Sequence, residues 1–498
     1  MNNMVLLVVL PLLAAFVIPV IAKQSNILGR LIGPAVLLFT LVMITMSWGQ
    51  VGRGGSAIFV GGFLPPVGIV FYIDHFSLML SALIALMLLL VWPWSHYTPV
   101  RQLSLYMLLA AASFGLVLSA DLFNLYVFYE LLAVATYGLI AASPLSKVNN
   151  NAAAVASLRY LFVSSAGSVM LLLGIAIIYT LTGSLNIAHL ATMTDQLNGI
   201  AGLSAFALIA IGAGVKAEMF PVNSWVPEVY ATVSKPLAAL LAGLISKLAV
   251  VLIIRVLLML FQQAEALQLL LVVGILGVIS GEMVAWRARD VTRMLSFSSI
   301  AQLGIIFIAF SIAGETGLWI GIALMLHHML VKGGLFLLAG KLDGSFVSLR
   351  GFAKQSPMVV AVFLVFILSL LGIPPFPGFW IKLMLIMNLA EQNGGLYHYA
   401  IGFILLATVI EAAYLFKLAR ILFQSENSEG DENTAAKPSN EGSQLVYRYA
   451  QIFALILIIS MAFISPISHK LKDMASQVAN PQVYINAILH QQASGDDS

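Results

Sequence analysis

Residues 121–141 read DLFNLYVFYELLAVATYGLIA, an apolar run about as long as the roughly 20 residues a helix needs to cross a hydrocarbon core. Its one interior charge, Glu130, is the ninth residue of a helix starting at Leu122 and lies about a third of the way across. A carboxylate at that depth calls for a cation within about 4–6 Å or for a proton of its own. Acids in such positions mark ion or proton pathways more often than they serve packing. This segment therefore predicts a membrane-spanning helix that carries a functional charge.

The rest of the 498-residue chain has the same character. Only 9% of residues are charged, 61% are hydrophobic and the mean hydropathy is +1.00, against about 25% charged in soluble domains. Spread over a globule in water, this composition would expose far too much apolar surface, which excludes a soluble enzyme. Apolar windows predict fourteen spans, near 4–22, 27–48, 73–95, 103–120, 122–142, 154–182, 203–220, 236–260, 267–286, 292–312, 316–340, 357–388, 399–423 and 446–466. The first lacks a cationic leader and a small-residue cleavage site, so it reads as a retained helix. With no cysteine, thiolate metal sites and cysteine-ligated clusters are excluded. No cofactor or metal is expected, and the basic residues form no cluster suited to nucleic acid.

The 24 Lys and Arg residues give a side to each loop. Sixteen fall in loops or flanks after odd-numbered spans, among them Lys23, Arg101, Arg287, Arg289, Arg350, Lys417 and Arg420, while the loops after even-numbered spans hold only Arg53. The positive-inside rule then makes the odd loops cytoplasmic and places both termini on the outer face of a multi-pass cell or inner membrane protein. The one long polar stretch, 425–445, carries Glu426, Glu429, Asp431, Glu432 and Glu441 and reads as a solvated cytoplasmic linker. Residues 467–498 predict a short surface helix and a frayed end.

Five cations remain inside spans, Lys216, Lys247, Arg255, Lys332 and Lys382, together with Glu130, Glu218, Glu282, Glu411, His327 and His328. Each charge at a helix centre costs about 2.5–3.5 kcal/mol on insertion scales, so their accumulation points to a pathway. Lys216 follows IGAGV and precedes Pro221, and Lys382 follows GIPPFPGFW, so each should lie beside a break in its helix. Such breaks are tolerated only in protein interior or beside a water-filled cavity. Lys247 sits mid-span in LLAGLISKLAVVLIIR, and His328 and Lys332, four residues apart, share a helix face. Blander roles suit others. His327 should pack or bond locally, Arg255 should snorkel from its span end, Glu282 should pair with the cluster Arg287, Arg289 and Arg293, and Asp290 should start a helix.

Because the two proline breaks fall in the seventh and twelfth spans, five apart, the spacing predicts two five-helix repeats, spans 4–8 and 9–13. An odd number of helices per unit makes the copies inverted in the membrane. The expected organisation is three N-terminal helices (1–100), a first repeat (101–262), a second (263–424), the polar linker (425–445) and a last helix with its tail (446–498). The fold class is thus an all-α polytopic membrane protein of about fourteen spans, with a broken helix in each repeat.

The motifs DLFNLYVFYELLAVATYGLIA, KAEMFPVNSWVPEVY, RDVTRMLSFSSIAQLG, HHMLVKGGLFLLAG and LGIPPFPGFWIK resemble, as an ordered set over residues 70–420, those of the antiporter-like pumping subunits shared by respiratory complex I and Mrp-type Na⁺/H⁺ antiporters. The D-type branch of the Mrp antiporter subunits is the most similar, through TGSLNIAHLA and NPQVYINAIL. The resemblance implies a proton path through Glu130, Lys216, Lys247, His328, Lys332 and Lys382, with a Glu–Lys pair that opens and closes. Departures are Asn223, where family members often have histidine, Glu218, where a small residue is usual, and Glu411, an acid that is not universal and suggests a second exit. The implied activity is that of a proton-translocating subunit of a multi-subunit Na⁺/H⁺ antiporter, with protons and Na⁺, other membrane subunits and the lipid bilayer as partners. The alternative is a pumping subunit of a membrane-bound hydrogenase or complex I-type dehydrogenase. On either reading the chain itself carries out no covalent chemistry.

Overall fold

A computed structural model describes residues 2–52, 54–95, 98–143, 150–342, 346–424 and 441–489; the expected linker lies almost wholly outside the described residues. The helices are α1 (Leu6–Gln24), α2 (Asn26–Trp48), α3 (His75–Leu90), α4 (Val100–Leu118), α5 (Leu122–Ala141), α6 (Asn150–Thr182) and α7 (Ile200–Gly214). After these come α8 (Val226–Thr232), α9 (Lys235–Leu260), α10 (Ala264–Arg287), α11 (Val291–Phe310) and α12 (Gly314–Ala339). The chain ends with α13 (Pro357–Leu371), α14 (Pro377–Ala390), α15 (Gly395–Phe423), α16 (Glu441–Ala462), α17 (Ile464–Val478) and α18 (Pro481–Leu489).

Apolar windows build the helices and aspartates start several of them. Asp74 accepts from the Ser77 backbone N–H at 2.6 Å while Ser77 Oγ returns a bond from the Asp74 N–H, a capping box for α3. Asp121 caps α5 through Asn124 N–H at 2.8 Å and Asp290 caps α11 through Arg293 N–H at 2.8 Å. Each cap satisfies a backbone donor that the first helical turn leaves without a partner.

The count of fourteen spans is not reproduced by length. Among the described residues ten helices are long and apolar enough to cross a bilayer, or eleven if α16 and α17, bent by 90°, count as one span. The third, seventh and twelfth expected spans appear as shorter apolar helices, α3, α7, α13 and α14, because the seventh and twelfth are interrupted. A second departure from an all-helical chain is a hairpin, β1 (Ser56–Phe59) antiparallel to β2 (Val70–Ile73) with Ser56 opposite Ile73. Gly and Pro between positions 49 and 68 oppose a helix there, and strand pairing satisfies the backbone instead. Ala120 N–H bonds Val70 O and Ile187 N–H bonds Ala120 O, tying together three connections that each follow an even-numbered span.

Burial sorts the helices into centre and rim. Every residue of the apolar window of α9 is buried, against 33% for α15, whose Val409 faces outward with α1 Phe16 and α6 Phe162. Glycines let the inner helices approach. A methyl group on Gly212 would stand 2.5 Å from Gly167 O across the α6–α7 contact, and one on Gly304 would stand 2.6 Å from Gly274 O across α10–α11. Small residues at such contacts are a usual means of packing helices in lipid, where no hydrophobic drive operates between them.

The C-terminal region is more ordered than the expected surface helix and frayed end. α17 buries Leu471, Met474 and Ala475, and α18 buries Tyr484, Ile485 and Ile488, with Tyr484 edge-on to Tyr72 at 4.5 Å between ring centres. Residues 490–498 lie outside the described residues.

Candidate functional site: a buried polar row

The helix breaks generate the site. α7 ends at Gly214, six residues short of the expected span end at 220, and residues 215–225 form turns and bends before α8 begins. Ending a helix inside protein frees carbonyl groups that need donors. Tyr129 OH donates to Gly212 O at 2.9 Å and Trp225 Nε1 donates to Val215 O at 2.9 Å. Lys216, 1% exposed, then turns toward Ser164 Oγ at 3.1 Å and lies 3.2 Å from the centre of the Tyr129 ring. Glu130 is its electrostatic neighbour, but the two make no direct ion pair, and Glu130 Oε1 is buried with no hydrogen-bond partner.

Two residues on, Glu218 has a left-handed backbone with φ of 56°, the one non-glycine residue in that region among those described. A side chain there costs on the order of 1–3 kcal/mol. From this turn Glu218 Oε1 accepts from Tyr230 OH at 2.6 Å. Lys247 and Lys332 are its charged neighbours. A π-helical turn, Leu241–Ile245, precedes Lys247. Lys247 donates back to Ala242 O and to Ser246 Oγ at 3.1 Å; such turns widen the helix and often occur at functional positions.

α11 supplies a polar stripe to the centre of the molecule. Ser299 Oγ stands 3.5 Å from His328 Nε2, and Ser298 Oγ accepts from Lys332 Nζ at 2.6 Å. Ser298 donates to Glu411 Oε1 at 3.2 Å, and Gln302 donates to both oxygens of Glu411 at 3.0 Å. Lys382 closes the row, 3.4 Å from Glu411 Oε2, while donating at 2.7 Å to Leu370 O, a carbonyl freed by the break after α13. Gly372, with φ of 76°, ends α13 in the left-handed conformation that glycine adopts without penalty.

The seven candidate site residues, Glu130, Lys216, Lys247, His328, Lys332, Lys382 and Glu411, fall into three neighbourhoods, six of them buried and Glu130 partly exposed. Glu130 and Lys216 form the first, Lys247 and His328 lie in the second with Glu218, and Lys332, Glu411 and Lys382 make the third. His327 bonds locally, to Ser369 Oγ at 2.8 Å. Two expectations fail. Arg255 does not snorkel: it donates to Val117 O and Ser119 O at 2.9 and 2.8 Å, closing the end of α4. Glu282 does not pair with the arginine cluster; it is 1% exposed and its charged neighbours are Glu411, Lys332 and Lys382. Residues absent from the sequence-based set are Tyr129, Ser164, Tyr230, Ser298, Ser299 and Gln302. The stripe SFSSIAQ within an otherwise apolar span was a readable sign of the last three.

This fold and this row define a membrane protein that carries a line of titratable groups through its interior. The chain belongs to the NADH:quinone oxidoreductase/Mrp antiporter transmembrane family, which matches residues 119–424. It is 31% identical to the N subunit of the NADH-quinone oxidoreductase of Desulforudis audaxviator, over 82% of this chain and 85% of that one. It is 27% identical to the D subunit of the Na(+)/H(+) antiporter of Alkalihalophilus pseudofirmus, over 98% of this chain and all of the relative. Among solved structures, a chain of the archaeal membrane-bound sulfane sulfur reductase matches with a TM-score of 0.87 at 27% identity, covering 98% of this chain and 100% of that one. A chain of the Mrp complex from Dietzia sp. DQ12-45-1b matches with 0.86 at 26%, covering 98% and 99%.

Proposed function

We propose that this chain is the proton-translocating, D-type component of a multi-subunit monovalent cation/proton antiporter. The observation that carries the reading is the succession of titratable groups from Glu130, which is partly exposed, through the buried Lys216, Lys247, His328 and Lys332 to Glu411 and Lys382. Structure alone gains little from so many charges in an apolar bundle, whereas a proton crossing it needs a series of acceptors. A full-length likeness to the D component of a Na(+)/H(+) antiporter supports the assignment. In the third neighbourhood hydrogen bonds link Lys332 through Ser298 to Glu411 and Lys382; elsewhere along the row, side-chain motion or water completes the path.

In this reading protons move inward down their electrochemical gradient and drive Na⁺ outward, each charge crossing 100 mV being worth about 2.3 kcal/mol. Both termini face outward. Arg287, Arg289, Arg350 and Lys417, from three separate odd-numbered flanks, line one common cleft, as a single cytoplasmic face requires. The full-length likeness to a chain of the sulfane sulfur reductase, together with the likeness to an N subunit of NADH-quinone oxidoreductase, favours a second reading, the pumping component of a redox complex.

The test is Glu130→Gln in the assembled complex, assayed as Na⁺-dependent ΔpH dissipation in inverted vesicles. Loss of antiport with the abundance of the complex unchanged supports the first reading. Undiminished antiport overturns it, and copurification with iron–sulfur proteins selects the second.

A further inference from the structure

We propose that Glu218 is itself a proton carrier, the group that takes charge across the α7 break from the Lys216 side to His328 and Lys332. The inference rests on the proton-translocation reading above and adds a residue to its path. Without Glu218 the row has a discontinuity. Lys216 is engaged by Ser164 and the Tyr129 ring, and Glu130 is its one charged neighbour. Lys247 has Glu218 and Lys332 as charged neighbours but not Lys216.

Glu218 occupies the missing place. It shares the break with Lys216, two residues away, yet its own partners are Tyr230 and, on α11, Ser299. The carboxyl group is 1% exposed, and only one of its oxygens is committed; Oε2 is buried without a hydrogen-bond partner. The Ser299 hydroxyl is a close neighbour and stands 3.5 Å from His328 Nε2. Tyr230 holds the other oxygen, which leaves Oε2 to serve Ser299, and Asn223 Nδ2, at 3.3 Å from Glu218 O, anchors the backbone.

The step balances without a co-reactant. The Lys216 ammonium gives a proton to an intervening water as that water gives one of its own to the Glu218 carboxylate, leaving a neutral amine and a carboxylic acid. The acid then passes its proton to Ser299 Oγ as that hydroxyl releases its own to His328 Nε2, which restores the carboxylate.

Three variants of the assembled complex test this in the vesicle assay: Glu218→Gln, Glu218→Asp and, in parallel, Glu130→Gln. Glutamine can still accept from Tyr230 but cannot carry a proton, so Glu218→Gln should lower the rate at least tenfold with assembly intact, and Glu218→Asp should keep at least a third of it. Full activity in Glu218→Gln, or equal impairment of Glu218→Gln and Glu218→Asp, overturns the proposal. If Glu218→Gln fails to assemble, Ser299→Ala takes its place, with a severalfold slower rate at unchanged KM for Na⁺ expected and an unchanged rate overturning it. Activity retained in Glu130→Gln brings down the underlying reading, whereas activity retained only in Glu218→Gln removes this inference alone.

Discussion

The two helix breaks share a design, a buried lysine beside the carbonyls that an interrupted span sets free, but they use the lysine differently. At the first, Tyr129 and Trp225 donate to the freed carbonyls, and Lys216 is left with a hydroxyl and an aromatic face. At the second, Lys382 itself donates to Leu370 O and pairs with Glu411. Neutral donors at the first break allow Lys216 to gain or lose its proton without disturbing the backbone. Lys382 is fixed to both a helix end and an ion pair. The difference leaves Lys216 free to move and pins Lys382 in place.

Stability measurements put the sharpest pressure on this contrast. Glu411→Ala leaves Lys382 buried and unpaired, a change that typically costs about 3–5 kcal/mol, and thermal unfolding of the purified complex should show that loss. Adding Lys382→Met should return most of it, a coupling that a double-mutant cycle reads directly; additive effects would dissolve the pair. Next in size is Gly212→Ala, whose methyl group would press on Gly167 O at 2.5 Å, and overpacking of this kind costs about 1–3 kcal/mol.

Lys216→Met should change unfolding by no more than about 1 kcal/mol, because no buried carboxylate loses a contact partner, while reducing antiport at least tenfold. A large destabilisation in this variant would erase the distinction between the breaks. The smallest effect is expected at Gly277, where an added methyl group meets nothing closer than 3.5 Å. Gly277→Ala should be neutral or stabilising by up to about 1 kcal/mol through helix propensity, in contrast to its counterpart at the α6–α7 contact.

Lys216, Lys382 and Glu130 were legible in the sequence because an isolated charge in an apolar span stands out and prolines mark where the span stops. The exact stopping point was less so. α7 ends before Lys216 and not after it, since Tyr129, remote in sequence, and Trp225, from beyond the break, donate to the freed carbonyls. Glu282 misled through proximity: Arg287 is five residues on, which on a 3.6-residue helix puts the two about 140° apart, and Glu282 faces the bundle. The π-helical turn before Lys247 and the docking of α17 and α18 likewise follow from contacts with distant elements, which local propensity does not encode.

Hydropathy and charge position determined on their own that this chain spans a membrane, where its interior charges fall and which helices must break. Those follow from the cost of placing polar groups in hydrocarbon, a penalty each residue carries wherever it packs. The tertiary structure alone decided which charges meet: that Glu218 turns toward Tyr230 and α11, that Ser298 links Lys332 to Glu411, and that Lys382 is pinned where Lys216 is not. Pairing depends on the rotation and depth of neighbouring helices, and these are set by the packing of the whole bundle.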